Sequence, residues 1–180
     1  MSKIKVLDKV FAPSIPASEI KQRVAEVAAQ INRDYEGESP LFLVVLNGAF
    51  VFAADLMREI TVPAEVSFVK LASYSGVAST GTVREVIGLN TDITNRHIII
   101  VEDIVESGLT MIHMVETLKK QNPKSIEICS LLVKPDRLKV DLDIKYVAMN
   151  IPNDFILGYG LDYNEQGRGL KDIYTLVSEE

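Results

Sequence analysis

The hydrophobic residues of this chain follow two spacings, one typical of helices and one typical of buried strands. Residues 17–33 carry a helical stripe, with lysine, arginine and glutamine between its apolar members: Ile20, Val24, Val27, Ala28 and Ile31. Residues 41–46 form a continuous apolar run after Ser39-Pro40, as in a strand that is buried on both faces. The first fifty residues therefore predict a helix followed by an internal strand.

This alternation of helices and strands continues along the chain. Apolar or β-branched runs predict further strands over 65–71, 98–102, 125–133, 145–149 and 155–159. Helices are predicted over 49–58 and 110–121, the second with one apolar face formed by Met111, Met114, Val115 and Leu118. Such alternation predicts an α/β fold with a mainly parallel central sheet flanked by helices. No internal repeat or domain boundary is evident, so we expect one domain over residues 1–180.

The composition narrows the class of protein. Of the 180 residues, 47% are hydrophobic and 24% are charged, as in ordinary globular domains. The net charge of -6 argues against a nucleic-acid binder that relies on a broad basic surface. The N-terminus has no apolar leader, no run of about 18 apolar residues occurs, and the single Cys129 has no partner for an internal disulfide. These features predict a cytoplasmic protein that binds neither nucleic acid nor membrane.

The most informative segment is residues 98–110, with the sequence IIIVEDIVESGLT. Its apolar half predicts a buried strand that ends in two adjacent carboxylates, Glu102 and Asp103. A short loop with one glycine and two hydroxyl side chains follows, and then a helix begins. Backbone N–H groups of such a loop and helix N-terminus form a cradle for an anion, and carboxylates accept hydrogen bonds from hydroxyls. This order predicts a site for a sugar phosphate such as ribose 5-phosphate.

The same residues also have plainer interpretations. Glu102 and Asp103 are alternatively two solvated acids at the end of a strand. Ser107 or Thr110 is alternatively an ordinary helix cap, because capping uses the same backbone donors as phosphate binding. The segment by itself leaves these alternatives open.

Three separated motifs resemble those of purine phosphoribosyltransferases of the hypoxanthine-guanine type, in the same order and at similar spacing. They are VEDIVESGLT at 101–110, LLVKPDR at 131–137 and IPNDFILGYGLDYNEQGR at 151–168. The likeness extends from Leu41 to Val177. It implies an enzyme of purine salvage that displaces pyrophosphate from C1′ of phosphoribosyl diphosphate with a purine. It also implies a small hood, formed by C-terminal and N-terminal segments, over the site.

The resemblance assigns the first motif to the phosphoribosyl group. Glu102 and Asp103 would hold the ribose 2′- and 3′-hydroxyls, directly or through Mg²⁺. Hydroxyls and backbone N–H groups of the next residues would bind the 5′-phosphate: Ser107, Gly108, Leu109 and Thr110. Glu106 departs from the family, which normally has an aspartate here as the base that faces the purine N7 proton. We expect Glu106 to keep that role with a carboxylate one methylene further out.

The other two motifs imply sites for the purine and for pyrophosphate. Lys134 would donate to the purine 6-oxygen and so select 6-oxopurines over adenine; its plainer interpretation is a surface lysine. Phe155 and Ile156 would stack on the purine face and present backbone carbonyls to its edge, although a phenylalanine in a short strand is more often a core residue. Asp162 would face Mg²⁺, which prefers oxygen ligands, and Arg168 would bind pyrophosphate.

Two loops complete the implied site. Asn47 and Gly48 follow strand 41–46 and would bind pyrophosphate through backbone N–H groups. The family often has lysine at position 47, joined by a cis peptide to the residue before it. Ser73 and Tyr74 open a small, polar stretch over 73–84, which matches a mobile lid that excludes water from the reaction. A disordered surface loop is the alternative for residues 76–82.

The sequence thus favours a Mg²⁺-dependent transferase that makes IMP or GMP from hypoxanthine or guanine and phosphoribosyl diphosphate. Two alternatives stay open: a xanthine-preferring phosphoribosyltransferase, and a nucleotide-sensing regulator on the same fold. Relatives commonly form dimers or tetramers, so we expect a homodimer or a homotetramer. His97 and His113 are isolated in sequence and do not predict a metal site.

Overall fold

The helices and strands alternate along the chain much as the apolar pattern predicts. The computed structural model describes residues 2–73 and 83–177. Its elements in that part of the chain are β1 (Ile4–Val6), β2 (Lys9–Ile15), α1 (Ala17–Asp34), β3 (Leu41–Leu46), α2 (Phe50–Glu59), β4 (Glu65–Ser73), β5 (Val83–Ile87), β6 (His97–Val105), α3 (Leu109–Lys119), β7 (Ser125–Val133), β8 (Tyr146–Asn150), β9 (Ile156–Leu157) and β10 (Ile173–Leu176). A 3-10 turn over Pro135–Arg137 follows β7.

The central sheet is mainly parallel, as predicted. In the described ranges its strands lie in the order β5-β4-β3-β6-β7-β8. Neighbours from β4 to β8 pair in parallel, and only β5 is antiparallel, at the edge beside β4. Helices cover both faces: α1 and α2 pack with Phe42 and Val44, whereas α3 packs with Leu43 and Ile100. The carboxyl ends of the parallel strands therefore meet at one edge, where ligands bind in such sheets.

A second, smaller sheet joins the two ends of the chain. Its strands lie in the order β1-β2-β10-β9 within the described residues, and all neighbours are antiparallel. This sheet confirms the hood of N-terminal and C-terminal segments. The strand predicted over 155–159 is reduced to Ile156–Leu157 and belongs to the hood, because it pairs with β10 and not with the central sheet. Strands β1 and β2 were not predicted.

Strand β6 is longer than the predicted 98–102. It continues to Val105, so Glu102 and Asp103 lie inside the strand and not at its end. The reason is that the two neighbours of β6 pair with it over different lengths. Strand β3 pairs with β6 only as far as Val101, whereas β7 continues to pair with it as far as Val105. The two acids consequently lie beyond the point where β3 stops pairing with β6, while β7 still pairs with this part of β6.

Both ends of the polar stretch predicted over 73–84 belong to strands. Ser73 ends β4, and Val83 begins β5, which returns antiparallel to β4. Tyr74 lies outside the described residues. None of the helices in the described ranges is long and apolar enough to span a membrane.

Candidate functional site

A cavity of about 290 Å³ opens where β6 leads into α3. Residues of the strand end, the following loop and the first turn of the helix line it: Glu102, Ile104, Val105, Glu106, Ser107, Gly108, Thr110 and Met111. All come from the segment that the sequence singles out, apart from Met111, which directly follows it. The cavity therefore brings the carboxylates of Glu102 and Glu106 together with the predicted phosphate loop, whereas Asp103 is not among the residues that line it.

Glu102 and Asp103 are not the solvated acids of the plainer interpretation. Glu102 is only 8% exposed, and burial, together with the charge of Asp103, raises its pKa well above the ordinary value. Burial also raises the pKa of Asp103. Local backbone donors partly offset this cost, since the N–H of Asp103 lies 3.1 Å from Oε1 of Glu102 and that of Ile104 lies 2.8 Å from Oδ1 of Asp103. Two carboxylates are thus held close together at a cost in stability.

The loop before α3 has the features of an anion cradle. Gly108 is the N-cap residue of α3, with φ of 77°, and no side chain caps the helix. The nearest candidate, the hydroxyl of Ser107, lies 3.4 Å from the N–H of Leu109, at the limit of a hydrogen bond. Ordinary capping by Ser107 or Thr110 therefore does not account for these residues, and N–H groups of the first turn remain available to an anion.

A segment that sequence reasoning missed supports this loop from behind. The N–H of Lys139 donates to the carbonyl of Ser107 at 3.0 Å. A methyl group on Gly108 would lie 2.8 Å from Val140 and 3.3 Å from Leu138 and Leu142. The alternating apolar residues of LKVDL are the only sequence signal of this packing. Gly108 is therefore required both for its left-handed backbone and for the close approach of residues 138–142.

Lys134 is buried at the carboxyl end of β7, with 5% of its surface exposed. Its N–H donates to the carbonyl of Val105 at 3.0 Å, and its ammonium forms an ion pair with the carboxylate of Glu106. The alternative of a solvated surface lysine is therefore wrong. The Glu106 side chain is 46% exposed and lines the cavity, so the pair lies at the border of the cavity and the protein interior.

Phe155 is an exposed aromatic ring and not the core residue of the plainer interpretation. It is 46% exposed, and its ring lies 6.2 Å from that of Phe11 and 5.8 Å, edge to face, from that of Tyr163. Ile156 beside it is buried in the hood. A flat ligand has an aromatic surface available here, held in place by two neighbouring rings.

The loop after β3 lies directly against Asp103. A methyl group on Gly48 would overlap the carboxylate of Asp103. On its other side the carbonyl of Gly48 lies so close to Gly160 that a methyl group on Gly160 would overlap it, and Gly160 has a φ of 100°. The peptide bond between Leu46 and Asn47 is cis, and Asn47 is exposed. Two glycines thus let the loops after β3 and β9 converge on the acid pair.

Arg168 and Asp162 lie together in the loop after β9. The Arg168 guanidinium donates to the carbonyl of Gly160 at 2.9 Å and forms ion pairs with Asp162 at 2.9 Å and Glu165 at 3.0 Å. It also acts on Asp103, where its charge lowers the pKa that burial raises. In residues 2–73 and 83–177 no three His, Cys, Asp or Glu side chains form a group that could hold a metal ion. Of the three predicted metal ligands, Glu102 and Asp103 therefore lie side by side, whereas Asp162 forms an ion pair with Arg168.

The profile of the phosphoribosyl transferase domain family matches residues 16–164. The chain belongs to the phosphoribosyltransferase family. It is 43% identical over 169 residues to the hypoxanthine-guanine phosphoribosyltransferase of Mycobacterium tuberculosis, with 90% of this chain and 84% of that protein covered. It is 43% identical over 166 residues to the hypoxanthine phosphoribosyltransferase of Salmonella typhimurium, with 91% and 93% covered.

Solved structures agree with this phosphoribosyltransferase assignment. The crystal structure of a hypoxanthine-guanine phosphoribosyltransferase from Bacillus anthracis is similar with a TM-score of 0.86. The two chains are 38% identical, and the match covers 94% of this chain and 99% of that one. The family resemblance stated from the three motifs is thereby confirmed.

Family membership implies a divalent metal ion in general, and the acid pair of this phosphoribosyltransferase suits one. Glu102 and Asp103 supply oxygen ligands, and a bound cation would offset the cost of ionising two acids that burial makes hard to ionise.

A second cavity, of about 480 Å³, lies on the far side of Arg168 between α1, α2 and residues 168–171. The hydroxyl of Tyr159, which lines it, donates to Asp55 at 2.7 Å. It includes none of the phosphate-loop residues and neither of the buried acids. The predicted sugar-phosphate residues Glu102, Ser107, Gly108 and Thr110 thus line the smaller cavity, whereas Arg168 lines the larger one.

Proposed function

We propose that this chain transfers the 5-phosphoribosyl group from phosphoribosyl diphosphate to hypoxanthine, guanine or both, giving IMP or GMP and pyrophosphate. The observation that carries the proposal is the buried Lys134 beside Glu106, next to an uncapped anion cradle. Relatives that are 43% identical and carry these activities in their names support it. In the reaction the C1′–O bond to pyrophosphate breaks, a bond from C1′ to a purine nitrogen forms, and the purine loses a proton.

On the sugar side, the loop over residues 107–110 would bind the 5′-phosphate. Backbone N–H groups at the start of α3, with the hydroxyls of Ser107 and Thr110, donate to the phosphate oxygens. Glu102 and Asp103 would accept from the 2′- and 3′-hydroxyls, since ionised carboxylates act only as acceptors. Together these contacts would fix C1′ in position for attack, which is the main task for a reaction of this kind.

On the purine side, Lys134 and Glu106 would recognise adjacent atoms of the ring. The ammonium would donate to the 6-oxygen, and the Glu106 carboxylate would accept from the N7 proton. Adenine carries an amine at position 6, so a donor would face a donor and a hydrogen bond would be lost. The exposed ring of Phe155 would stack on the purine face, and the backbone carbonyls of Phe155 and Ile156 would face its edge.

On the leaving-group side, backbone N–H groups of Asn47 and Gly48 and the guanidinium of Arg168 would bind pyrophosphate. We propose Mg²⁺ as the metal, held by Glu102 and Asp103 and approached by Asp162; when bound it would neutralise charge on the departing pyrophosphate. Ser73 and Tyr74 would belong to a lid that excludes water, since water would hydrolyse the activated sugar.

We also propose that the protein forms a homodimer or homotetramer. Val66 and Phe68 of β4 pair with Phe42 and Val44, so they belong to the sheet face that α2 covers, yet they are 44% and 46% exposed. Phe50 at the start of α2 is also 44% exposed. Apolar side chains gathered on one face are typical of an interface between subunits. Sedimentation analysis of the wild type and of Phe68→Ser tests the assembly.

The decisive experiment offers the protein hypoxanthine, guanine, xanthine and adenine, each with phosphoribosyl diphosphate and Mg²⁺, and measures nucleotide and pyrophosphate. We expect products from hypoxanthine, guanine or both, and at least 100-fold lower turnover of adenine. A preference for xanthine would replace the proposed substrate, and binding of a nucleotide without any turnover would favour a regulator. No product from any of the four bases would refute the enzyme assignment.

Metal dependence and the base are tested separately. Chelation with EDTA should abolish turnover and added Mg²⁺ should restore it, whereas full activity in EDTA would exclude a metal cofactor. Glu106→Gln should lower kcat because the amide cannot take the N7 proton, and Glu106→Asp should retain more of it. Full turnover by Glu106→Gln would refute the role of Glu106 as the base.

A further inference from the structure

Glu106 and Lys134 form an ion pair although they are 28 residues apart in sequence. The two residues follow β6 and β7, which are neighbours, and Val105 pairs with Val133 in the sheet. The N–H of Lys134 donates to the carbonyl of Val105 at 3.0 Å. The backbone of the sheet therefore places the two side chains next to each other before any ligand binds.

The environments of the two charges are very different. The side chain of Lys134 is 7% exposed, whereas that of Glu106 is 46% exposed. In the described part of the chain, Glu106 is the acid that forms an ion pair with this ammonium. Removal of one partner of such a pair is strongly unfavourable, because it leaves a buried charge without compensation. The carboxylate thus stabilises Lys134 as a cation in a place where a cation is costly.

The same carboxylate also faces the cavity. Glu106 lines the space of about 290 Å³ together with Ser107 and Gly108 of the phosphate loop, whereas Lys134 does not line it. Glu106 is therefore the side chain that connects the sugar-phosphate cavity to the buried ammonium.

From this geometry we infer that Glu106 is a positioning residue for Lys134 and thereby determines the selectivity for 6-oxopurines. The inference rests on the proposed function and extends it: Glu106 acts on the purine 6-oxygen through Lys134, in addition to facing N7 itself. Its carboxylate forms the ion pair that directs the ammonium at the 6-oxygen. Without Glu106, the buried ammonium of Lys134 has lost its ion-pair partner and is no longer directed at the 6-oxygen. Discrimination against 6-aminopurines therefore falls.

A double-mutant cycle separates the two roles of Glu106. Kinetics are measured with hypoxanthine and with adenine for the wild type, Glu106→Ala, Lys134→Met and the double variant. We expect Glu106→Ala to raise the KM for hypoxanthine about tenfold, the loss expected for one hydrogen bond to a charged group, and to lower the preference over adenine similarly. In the Lys134→Met background the same change should leave KM and preference unaltered. The decrease in kcat that comes from loss of the base should persist in both backgrounds.

Glu106→Asp provides the rescue. It retains the charge, so the preference for hypoxanthine should return to within about threefold of the wild type. Lys124→Met is the matched control, because Lys124 precedes β7 as Lys134 follows it and is also paired with a glutamate, Glu38, at 2.9 Å. That pair is exposed, with 52% of the lysine side chain in solvent, and its loss should change neither KM nor preference.

Equal increases in KM for Glu106→Ala in both backgrounds, or an unchanged preference, would overturn the inference. Thermal unfolding of the four ligand-free proteins adds a measurement that does not depend on activity. The two substitutions should be non-additive, since Glu106→Ala destabilises only while the ammonium is present. If the wild type turned over no 6-oxopurine, the proposed function would fail. If the effects of the two substitutions on thermal unfolding were additive, the two residues would not interact, and this inference would fail as well.

Discussion

The α-carbon of Gly48 lies against the carboxylate of Asp103, so closely that a methyl group on Gly48 would overlap it. Gly48 belongs to the loop after β3, and Asp103 lies in β6, beyond the point where β3 stops pairing. The loop of one strand therefore occupies the space beside the acid of the next. This contact joins the proposed pyrophosphate loop to the proposed sugar and metal site.

Gly48→Ala should displace the carboxylate of Asp103 and lower kcat/KM about 100-fold, because a shift of about 1 Å in a positioning group has an effect of that size. The backbone N–H of position 48 is retained, so the change acts through Asp103. Steady-state kinetics with hypoxanthine and phosphoribosyl diphosphate measure it. Gly169→Ala is the control, since a methyl group there meets no atom within 4 Å. An active Gly48→Ala enzyme would show that Asp103 has no fixed role.

Glu102→Gln should make the ligand-free protein more stable and less active. A neutral amide of the same shape removes one of two buried acids whose ionisation burial opposes. We expect Tm to rise by about 2–4 °C, which corresponds to about 1 kcal/mol for a domain of this size. The kcat/KM should fall roughly 10- to 100-fold with the loss of a charged acceptor. Scanning calorimetry and kinetics measure the two effects.

Glu127→Gln is the control for that substitution, because Glu127 also lies in the central sheet but pairs with Lys145 at 3.8 Å. Its replacement should not raise Tm. A decrease in Tm for Glu102→Gln would contradict the view that function maintains this acid pair at a cost in stability.

Gly108→Ala should weaken binding of phosphoribosyl diphosphate. An alanine at φ of 77° is strained by about 1–2 kcal/mol, and its methyl group would lie 2.8 Å from Val140. Gly37 has nearly the same φ, 78°, and open space around it, so Gly37→Ala carries the strain without the contact. Both variants should lose stability, but only Gly108→Ala should raise the KM for phosphoribosyl diphosphate, by about tenfold. Equal values of KM would place the phosphate elsewhere.

Stability should decrease in acid through Asp34 at the end of α1. The hydroxyl of Tyr146 donates to Asp34 at 2.7 Å and lowers the pKa of that carboxyl. An acid with a lowered pKa in the folded state contributes stability above its unfolded pKa of about 4, and this contribution is lost as pH falls through the folded value. Asp34→Asn should therefore lower Tm by about 2 °C at pH 7, a small effect because Asp34 is partly solvated.

Thermal unfolding of the wild type and Asp34→Asn from pH 7 to pH 2 checks this prediction. The difference in Tm should shrink steadily below about pH 4. In a Tyr146→Phe background, the difference at pH 7 should already be smaller. A difference that is independent of pH would assign the effect to packing at the end of α1 and not to the carboxylate.

The innermost strands of the central sheet could be predicted because they carry long apolar runs, as strands buried on both faces do. Leu41–Leu46 has this signature in six consecutive residues, and the structure gives β3 the same bounds. The end of β6 could not be predicted in this way, since Glu102 and Asp103 interrupt the apolar run. Only the pairing with β7 carries the strand past them.

Two strands of the hood could not be predicted from local sequence either. Strand β2 contains Pro13 and polar residues, and β9 has only two residues, so neither has a periodic pattern of its own. They become strands because β10 lies between them and supplies hydrogen bonds to both. Such pairing depends on where distant segments meet and leaves little trace in local sequence.

The sequence by itself determined the order of the elements and the chemical types at the site, since both depend on neighbours along the chain. The spacing of apolar residues predicts the helices and strands, and the segment 98–110 carries two acids, a glycine and two hydroxyls in the order that a sugar phosphate requires. Only the tertiary structure decided that Lys134 is buried and paired with Glu106, and that Gly48 touches Asp103. These relationships depend on which strands become neighbours and where each stops pairing, and neither is visible in the local sequence.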